Sequence, residues 1–259
     1  MELALLGVLV LGLAAHLAPR HTPDVLVSLT TSPRRIARIG PLLAALSAQT
    51  VAPRAIVLNL PRVFKRTGER FGTIPAFVTS NPLVIVNWVD DVGPATKLVP
   101  AVALAAGPET VIITVDDDIE YRTTLVESML SVSAAFPGAV VTGQSYRSSG
   151  LLAELVEGYS SVLYKARFLD GLEAALDPFV PCYLADDLVI SNFLRARMVP
   201  VVRAAALGVV PFGEIYLDYG ERSDALKHGA GGLSEGNLDN YAKCAAHLAS
   251  RGEFHLDPY

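Results

Sequence analysis

Cysteine is almost absent from this chain: Cys182 and Cys244 are the two in 259 residues. That excludes a disulfide-built scaffold and a multi-cysteine zinc site. A single disulfide between them stays open at this level. The chain also lacks a Gly-x-Ser-x-Gly nucleophile elbow, a Walker phosphate loop and a His-Glu-x-x-His zinc motif, which removes the chemistries those motifs carry. There is no internal repeat and no long low-complexity linker. An excess of basic charge is missing as well. The net charge of -5 argues against a general nucleic-acid binder.

What is present is apolar. Hydrophobic residues make up 51% of the chain and mean hydropathy is +0.40, enough for one large domain with a substantial core. Part of that hydropathy comes from Leu3 to Ala18, apolar except for His16. As helix this stretch spans roughly 24 Å, short of the roughly 30 Å hydrocarbon core. It reads as a membrane anchor, a signal peptide or a buried helix, with Pro19 disfavouring cleavage after Ala18 and the arginines following rather than preceding it. We therefore divide the chain into a hydrophobic segment, 1–20, and one domain, 21–259. As an anchor or signal, 1–20 implies a membrane-associated or secretory location; otherwise a cytoplasmic one. Between Arg20 and Arg70 stand nine Lys/Arg and two acids, Asp24 and Glu69. Such a locally basic portion suits an anionic small ligand or a solvated loop.

Short apolar runs alternate with helical patterns. Residues 25–30, 55–60, 83–88 and 111–115 read as strands. Residues 41–49, 96–106 (despite Pro100) and 124–136 read as helices. Continuously apolar strands alternating with helices predict a parallel sheet covered on both faces. Residues 143–150, small and polar, read as a surface loop.

The fourth strand runs straight into Asp116, Asp117 and Asp118. In open α/β sheets ligands bind beyond the carboxyl ends of strands. Adjacent carboxylates repel one another unless a cation sits among them. In extended chain Asp116 and Asp118 face one side and Asp117 the other. Two hard oxygen donors suit Mg²⁺ or Mn²⁺, completed by diphosphate oxygens and water. The alternative is a solvated turn or a helix cap. A second acidic pair, Asp186 and Asp187, precedes a helical pattern in which Leu188, Phe193, Leu194 and Met198 lean to one face. Carboxylates there cap backbone N–H groups. The functional reading makes one the general base and its partner the cap. A terminal helix carries its apolar residues at Leu238, Tyr241, Ala242, Ala245, Leu248 and Ala249, with His247 on its flank.

Over about residues 24–245 the segments "VSLTTSPRRI", "AIVLNLP", "WVDDVGPATKL", "VIITVDDDIEY", "YLADDLVISNFL" and "DALKHGAGGLSEGN" resemble the GT-A-fold nucleotide-sugar glycosyltransferases, in particular the inverting group and its relatives in large algal viruses. The resemblance implies a single-domain GT-A (Rossmann-like) mixed, mostly parallel sheet flanked by helices. It implies a metal-binding Asp-x-Asp, with Asp116 and Asp117 at the nucleotide and Asp116 and Asp118 at Mn²⁺ or Mg²⁺. It implies a nucleotide cradle at Thr30, Arg34 and Arg35, and a nucleotide or diphosphate contact at Asp91 and Lys97. "ADDLVIS" resembles the family's Glu-Asp motif with Asp186 in place of Glu, which puts the base at Asp187. The family's late metal-binding His has His228 as its candidate.

The expected reaction is transfer of a sugar from a nucleoside-diphosphate sugar to a glycan or glycoconjugate hydroxyl, with inversion. The residues also suit two other classes: a metal-dependent nucleotidyltransferase or phosphohydrolase, and a non-catalytic, membrane-tethered sugar-binding module.

Overall fold

The computed structural model describes residues 24–145, 150–176, 178–216 and 237–256. Residues 1–20 and His228 lie outside them. Among the described residues no helix is long and apolar enough to cross a membrane.

The strands are β1 (Val25–Thr30), β2 (Ala55–Pro61), β3 (Val84–Val89), β4 (Val111–Thr114), β5 (Ile119–Tyr121), β6 (Val140–Thr142), β7 (Leu152–Ala153), β8 (Val162–Lys165), β9 (Val201–Arg203) and β10 (Phe212–Tyr216). The helices are α1 (Gly40–Ser47), α2 (Ala76–Thr79), α3 (Val99–Val102), α4 (Leu125–Ala135), α5 (Leu172–Ala175), α6 (Val180–Tyr183), α7 (Asp186–Ala196) and α8 (Asn237–Ser250). Eight strands form one sheet in the order β3-β2-β1-β4-β8-β6-β9-β7, and β5 pairs with β10 in a small second sheet. β1 to β4 pair in parallel, whereas β8 is antiparallel to both β4 and β6. The sheet is thus mixed, with a parallel half that matches the expectation from continuous apolar strands.

β1, β2 and β4 are buried along their length because both faces are covered, whereas β3 at the sheet edge leaves Ile85 and Trp88 exposed. Val25, Val27 and Leu29 of β1 pack with Leu42, Leu43 and Leu46 of α1 and with Leu125 and Met129 of α4. Leu26 faces the other way, towards Leu98, Ala101, Ile190 and Leu194. A third cluster joins Cys182, Leu188 and Val189 to Cys244, Ala245 and Leu248 of α8.

Three expectations need correction. Residues 96–106 are not one helix but a 3-10 turn, Ala95–Lys97, followed by α3. Pro100 has no N–H and its ring clashes with the carbonyl four residues back, so a helix cannot run through from Thr96. Met198 is not on the apolar face of α7. It lies beyond the helix end, 89% exposed, with φ of 57°. Leu238 of α8 is also exposed.

β1 is the topological switch. β2 and β3 extend the sheet on one side of it, and the chain then crosses back to lay β4 on the other. The carboxyl ends of β1 and β4 therefore open into one crevice, where α/β sheets bind ligands. Because β8 runs antiparallel to β4, with Thr114 opposite Val162, the loop entering β8 meets the same edge.

A buried polar ladder crosses the parallel half. Asn87 Nδ2 donates to Asn59 Oδ1 at 2.9 Å, Asn59 Nδ2 to Ser28 Oγ at 2.9 Å, and Ser28 Oγ to the Lys97 carbonyl at 2.6 Å. It pins Lys97 to the sheet. Asn59→Ala strands buried partners on both sides and should cost about 1–3 kcal/mol, read as a lower denaturant midpoint at unchanged slope.

Candidate active site

The strand-end aspartates do not continue in extended chain. β4 ends at Thr114, and Asp117 and Asp118 form the turn into β5. The turn still separates the side chains. Asp116 meets Lys97, Nζ to Oδ1 at 2.9 Å. Asp117 is buried on the β1 side, where Thr31 Oγ1 donates to Oδ2 at 2.5 Å and Arg35 Nη1 to Oδ1 at 2.7 Å. The same guanidinium nitrogen lies 3.3 Å from Asp118 Oδ2. Tyr121 locks the turn: its hydroxyl accepts the Asp116 N–H at 2.9 Å and donates to the Tyr159 carbonyl at 2.9 Å.

Asp186 and Asp187 arrive from the far end of the sequence. α7 begins at Asp186, and its N-cap is Ala185, which supplies no side-chain hydrogen bond. Asp186, one residue on, meets Lys97, its Oδ2 3.4 Å from Nζ, and also takes the backbone N–H of Asp187 in the first turn. Asp187 turns away from it. Its Oδ1 accepts the Gly158 N–H at 3.0 Å and its Oδ2 the Tyr241 hydroxyl at 3.2 Å.

Lys97 is therefore the hub. Burial alone would depress its pKa, but the carboxylates of Asp116, Asp186 and Asp187 outweigh burial and hold the ammonium well above its ordinary value. Burial raises the pKa of Asp187, the charge on Asp186 adds to it, and Lys97 opposes both; the balance stands well above the usual carboxylate range. Asp186 is raised too, by burial first and against the pull of Lys97. Asp118 is pushed up to about 6 by burial and then by the charges on Asp116 and Asp117.

The other expected residues are distributed as follows. Thr30 hydrogen-bonds the Asn59 carbonyl at 2.8 Å. Arg34 points outward to Glu69, 3.1 Å away. Asp91 accepts from the Lys65 N–H, the Gly93 N–H and the Tyr183 hydroxyl at 2.7–2.8 Å, so it ties the end of β3 to α6. A cleft of about 190 Å³ opens there beside Asp186, lined also by Lys65, Asp91, Tyr183 and Val189. The structure thus gathers Arg35, Lys97, Asp116, Asp117, Asp118, Asp186 and Asp187 and leaves Arg34 outside.

Gly158, Tyr121 and Tyr241 carry no site signal in the sequence, and Thr31 lies within the stretch from Thr30 to Arg35 that the resemblance places at the nucleotide. Gly158 carries a legible signal only after folding: a Cβ there would overlap the Lys97 ammonium and come within 2.9 Å of its Cε. The ammonium is pinned between two carboxylates and cannot yield. Gly158→Ala should cost about 1–3 kcal/mol through overpacking, read as a lower denaturant midpoint at unchanged slope.

The donor set fits a divalent cation. Five carboxylates gather around Lys97 and Arg35, a formal excess of three negative charges among these seven side chains. The side chains of Asp116 and Asp118 are partly exposed, at 28% and 31%. Among the described residues no group of three or more His, Cys, Asp or Glu is preset for a metal. Mg²⁺-type sites use one or two carboxylates together with substrate phosphates.

No protein-family model and no curated protein sequence matches this chain. Solved structures with a similar fold do. They include Staphylococcus aureus TarS residues 1–349 in complex with UDP-GlcNAc: 12% identity, TM-score 0.49, covering 87% of this chain and 73% of that one. The mannosyltransferase PcManGT of Pyrobaculum calidifontis, in complex with GDP-Man and Mn²⁺, gives 15%, 0.48, 71% and 55%. A 4-diphosphocytidyl-2C-methyl-D-erythritol synthase gives 12%, 0.45, 70% and 88%. In another match to TarS 1–349, this chain spans 58% of that chain's length. At such identities and TM-scores the likeness assigns no role. The mixed, mostly parallel sheet flanked by helices is the architecture that the resemblance implied.

Proposed function

We propose that this chain is a metal-dependent, inverting glycosyltransferase that moves a sugar from a nucleoside-diphosphate sugar to a glycan or glycoconjugate hydroxyl. The observation that carries this reading is the meeting of Asp116 with Asp186 and Asp187 around one buried lysine, with Asp118 beside Arg35 on the same turn, at the carboxyl-end crevice of β1 and β4. Asp116 and Asp118 would hold Mn²⁺ or Mg²⁺, with His228 as a further ligand. Bound there, the metal supplies positive charge for a departing diphosphate.

The protein's own groups do the rest. Arg35 and Thr31 hold Asp117, which anchors the turn that aims its two neighbours. Lys97 holds Asp116 and Asp186 about one ammonium. Asp187 takes the proton of the acceptor hydroxyl. A carboxylate raised by burial is suited to that task, because a base works best with a pKa nearer the operating pH. Thr30 and Arg35, at the end of β1, would favour an anionic donor there, with Arg34 turned outward to Glu69.

A panel of nucleotide sugars with Mn²⁺ tests the reading by released nucleoside diphosphate. Release of phosphate or pyrophosphate instead would favour a phosphohydrolase or nucleotidyltransferase. Nucleotide binding without any turnover would favour a binding module. For location, residues 3–18 act as anchor or signal in this reading. The Cys182–Cys244 disulfide supports a secretory or extracytoplasmic site, since such bonds persist in oxidising compartments. A chain starting at His21 should fold and turn over normally. A melting temperature lower by more than about 5 °C would make 1–20 part of the core.

A further inference from the structure

α8 reaches Asp187 from the side opposite the strand-end aspartates. Tyr241 on its second turn donates to Asp187 Oδ2 at 3.2 Å. Three residues later Cys244 is bonded to Cys182 in α6, the short helix immediately before α7. The covalent bond thus lies three residues from Tyr241 and five from Asp187. Cys244, Ala245 and Leu248 seat α8 on Cys182, Ala185, Leu188 and Val189. Other ties act further along. His247 stacks on Phe179 with centroids 4.4 Å apart, and Asn192 bonds the backbone of Glu253 and His255 at 2.9 and 2.7 Å.

We propose that Tyr241 is a positioning residue for Asp187 and that the Cys182–Cys244 disulfide holds Tyr241 in place. The proposal rests on reading Asp187 as the base. A carboxylate offers about four acceptor positions on two oxygens. The Gly158 N–H occupies one on Oδ1. With that donor alone the carboxylate plane can turn about its terminal torsion, which is broad for Asp. A second donor on the other oxygen fixes the plane and leaves lone pairs for an incoming hydroxyl. Neither Tyr241 nor the disulfide touches the strand-end aspartates in any contact described above. Their loss is therefore expected in turnover and not in nucleotide affinity.

The test uses the full chain with Tyr241→Phe, the pair Cys182→Ser and Cys244→Ser, and the combination. Turnover is read as nucleoside diphosphate released, and affinity as calorimetric binding of uridine and guanosine diphosphate with Mn²⁺. Tyr241→Phe should lower turnover roughly ten- to a hundredfold, the range of one hydrogen bond to a charged group, with affinity within about twofold. The serine pair should do the same, and the combination no worse than either alone, because each removes one contact. Turnover within twofold of the parent for Tyr241→Phe, or effects that multiply, overturns the proposal. Should the serine pair fail to fold, the Tyr241→Phe arm still decides the positioning role. A melting cycle of Tyr241→Phe with Asp187→Ala stands apart from activity. Non-additive shifts in the disulfide-bonded protein that vanish in the serine pair support the tether; additive shifts throughout overturn it. If the parent chain turns over no donor, the glycosyltransferase reading falls while this cycle still tests the contact.

Discussion

Lys97→Met is expected to lower the melting temperature of the ligand-free protein by about 10 °C. The lysine is 7% exposed and sits between Asp116 at 2.9 Å and Asp186 at 3.4 Å. Methionine fills much of its volume but leaves buried Asp186 and half-buried Asp116, with Asp187 beside them, without their cation. Breaking a buried ion pair from one side costs about 3–5 kcal/mol, and each kcal/mol is about 2–4 °C for a chain near this size. The result separates two roles for the residue. A lysine placed to contact a ligand's phosphate would leave the ligand-free melting curve unchanged when removed. A lysine that assembles the site takes stability and nucleotide binding down together. Differential scanning calorimetry without ligand, followed by nucleotide titration at a temperature where the variant is folded, reads both. An unchanged melting temperature would return Lys97 to the direct-contact role that its place in "VGPATKL" suggested.

Asp187→Asn is expected to slow turnover by roughly 10²–10⁴-fold while the melting temperature holds or rises. An amide cannot take the acceptor's proton. Its geometry nevertheless suits the pocket: the amide oxygen accepts from the Gly158 N–H, and the amide nitrogen donates to the Tyr241 hydroxyl, which can accept. The direction of the stability change follows from the raised pKa of Asp187. A carboxylate whose folded pKa lies above its unfolded value destabilises the fold once ionised, so a neutral isostere relieves that cost above the unfolded pKa. Loss of turnover with retained or improved stability is the trade-off expected where a strained charge does chemistry. Asp186→Asn should be milder in turnover, because Asp186 orients Lys97. Initial rates, nucleotide dissociation constants and melting curves for both variants decide the assignment. If Asp186→Asn abolishes turnover and Asp187→Asn keeps more than about a tenth, the base is Asp186.

The elements most legible in the sequence were those whose signal is local. β1, β2 and β4 are continuously apolar because two layers bury them, and their limits are close to those expected from pattern alone. The three aspartates at the end of β4 and the pair at the start of α7 are visible as charge against apolar runs. Pro100 announced a break that the apolar pattern of 96–106 masked. How these pieces meet was decided by tertiary structure. Lys97 reaches Asp116 across 19 residues, Gly158 reaches Asp187 across 29, and Tyr241 reaches it across 54. No periodicity carries such contacts. They follow from the crossover that sets β4 beside β1, the antiparallel return of β8, and the bond from Cys182 to Cys244 that brings α8 over α7. Sequence by itself determined that acidic residues would end a buried strand in an α/β sheet. The fold decided which of the acids at the end of β4 and the start of α7 face a buried ammonium and which faces a glycine N–H and a tyrosine hydroxyl. The physical reason is that burial and neighbouring charge set a carboxylate's proton affinity, and both are properties of the packed chain.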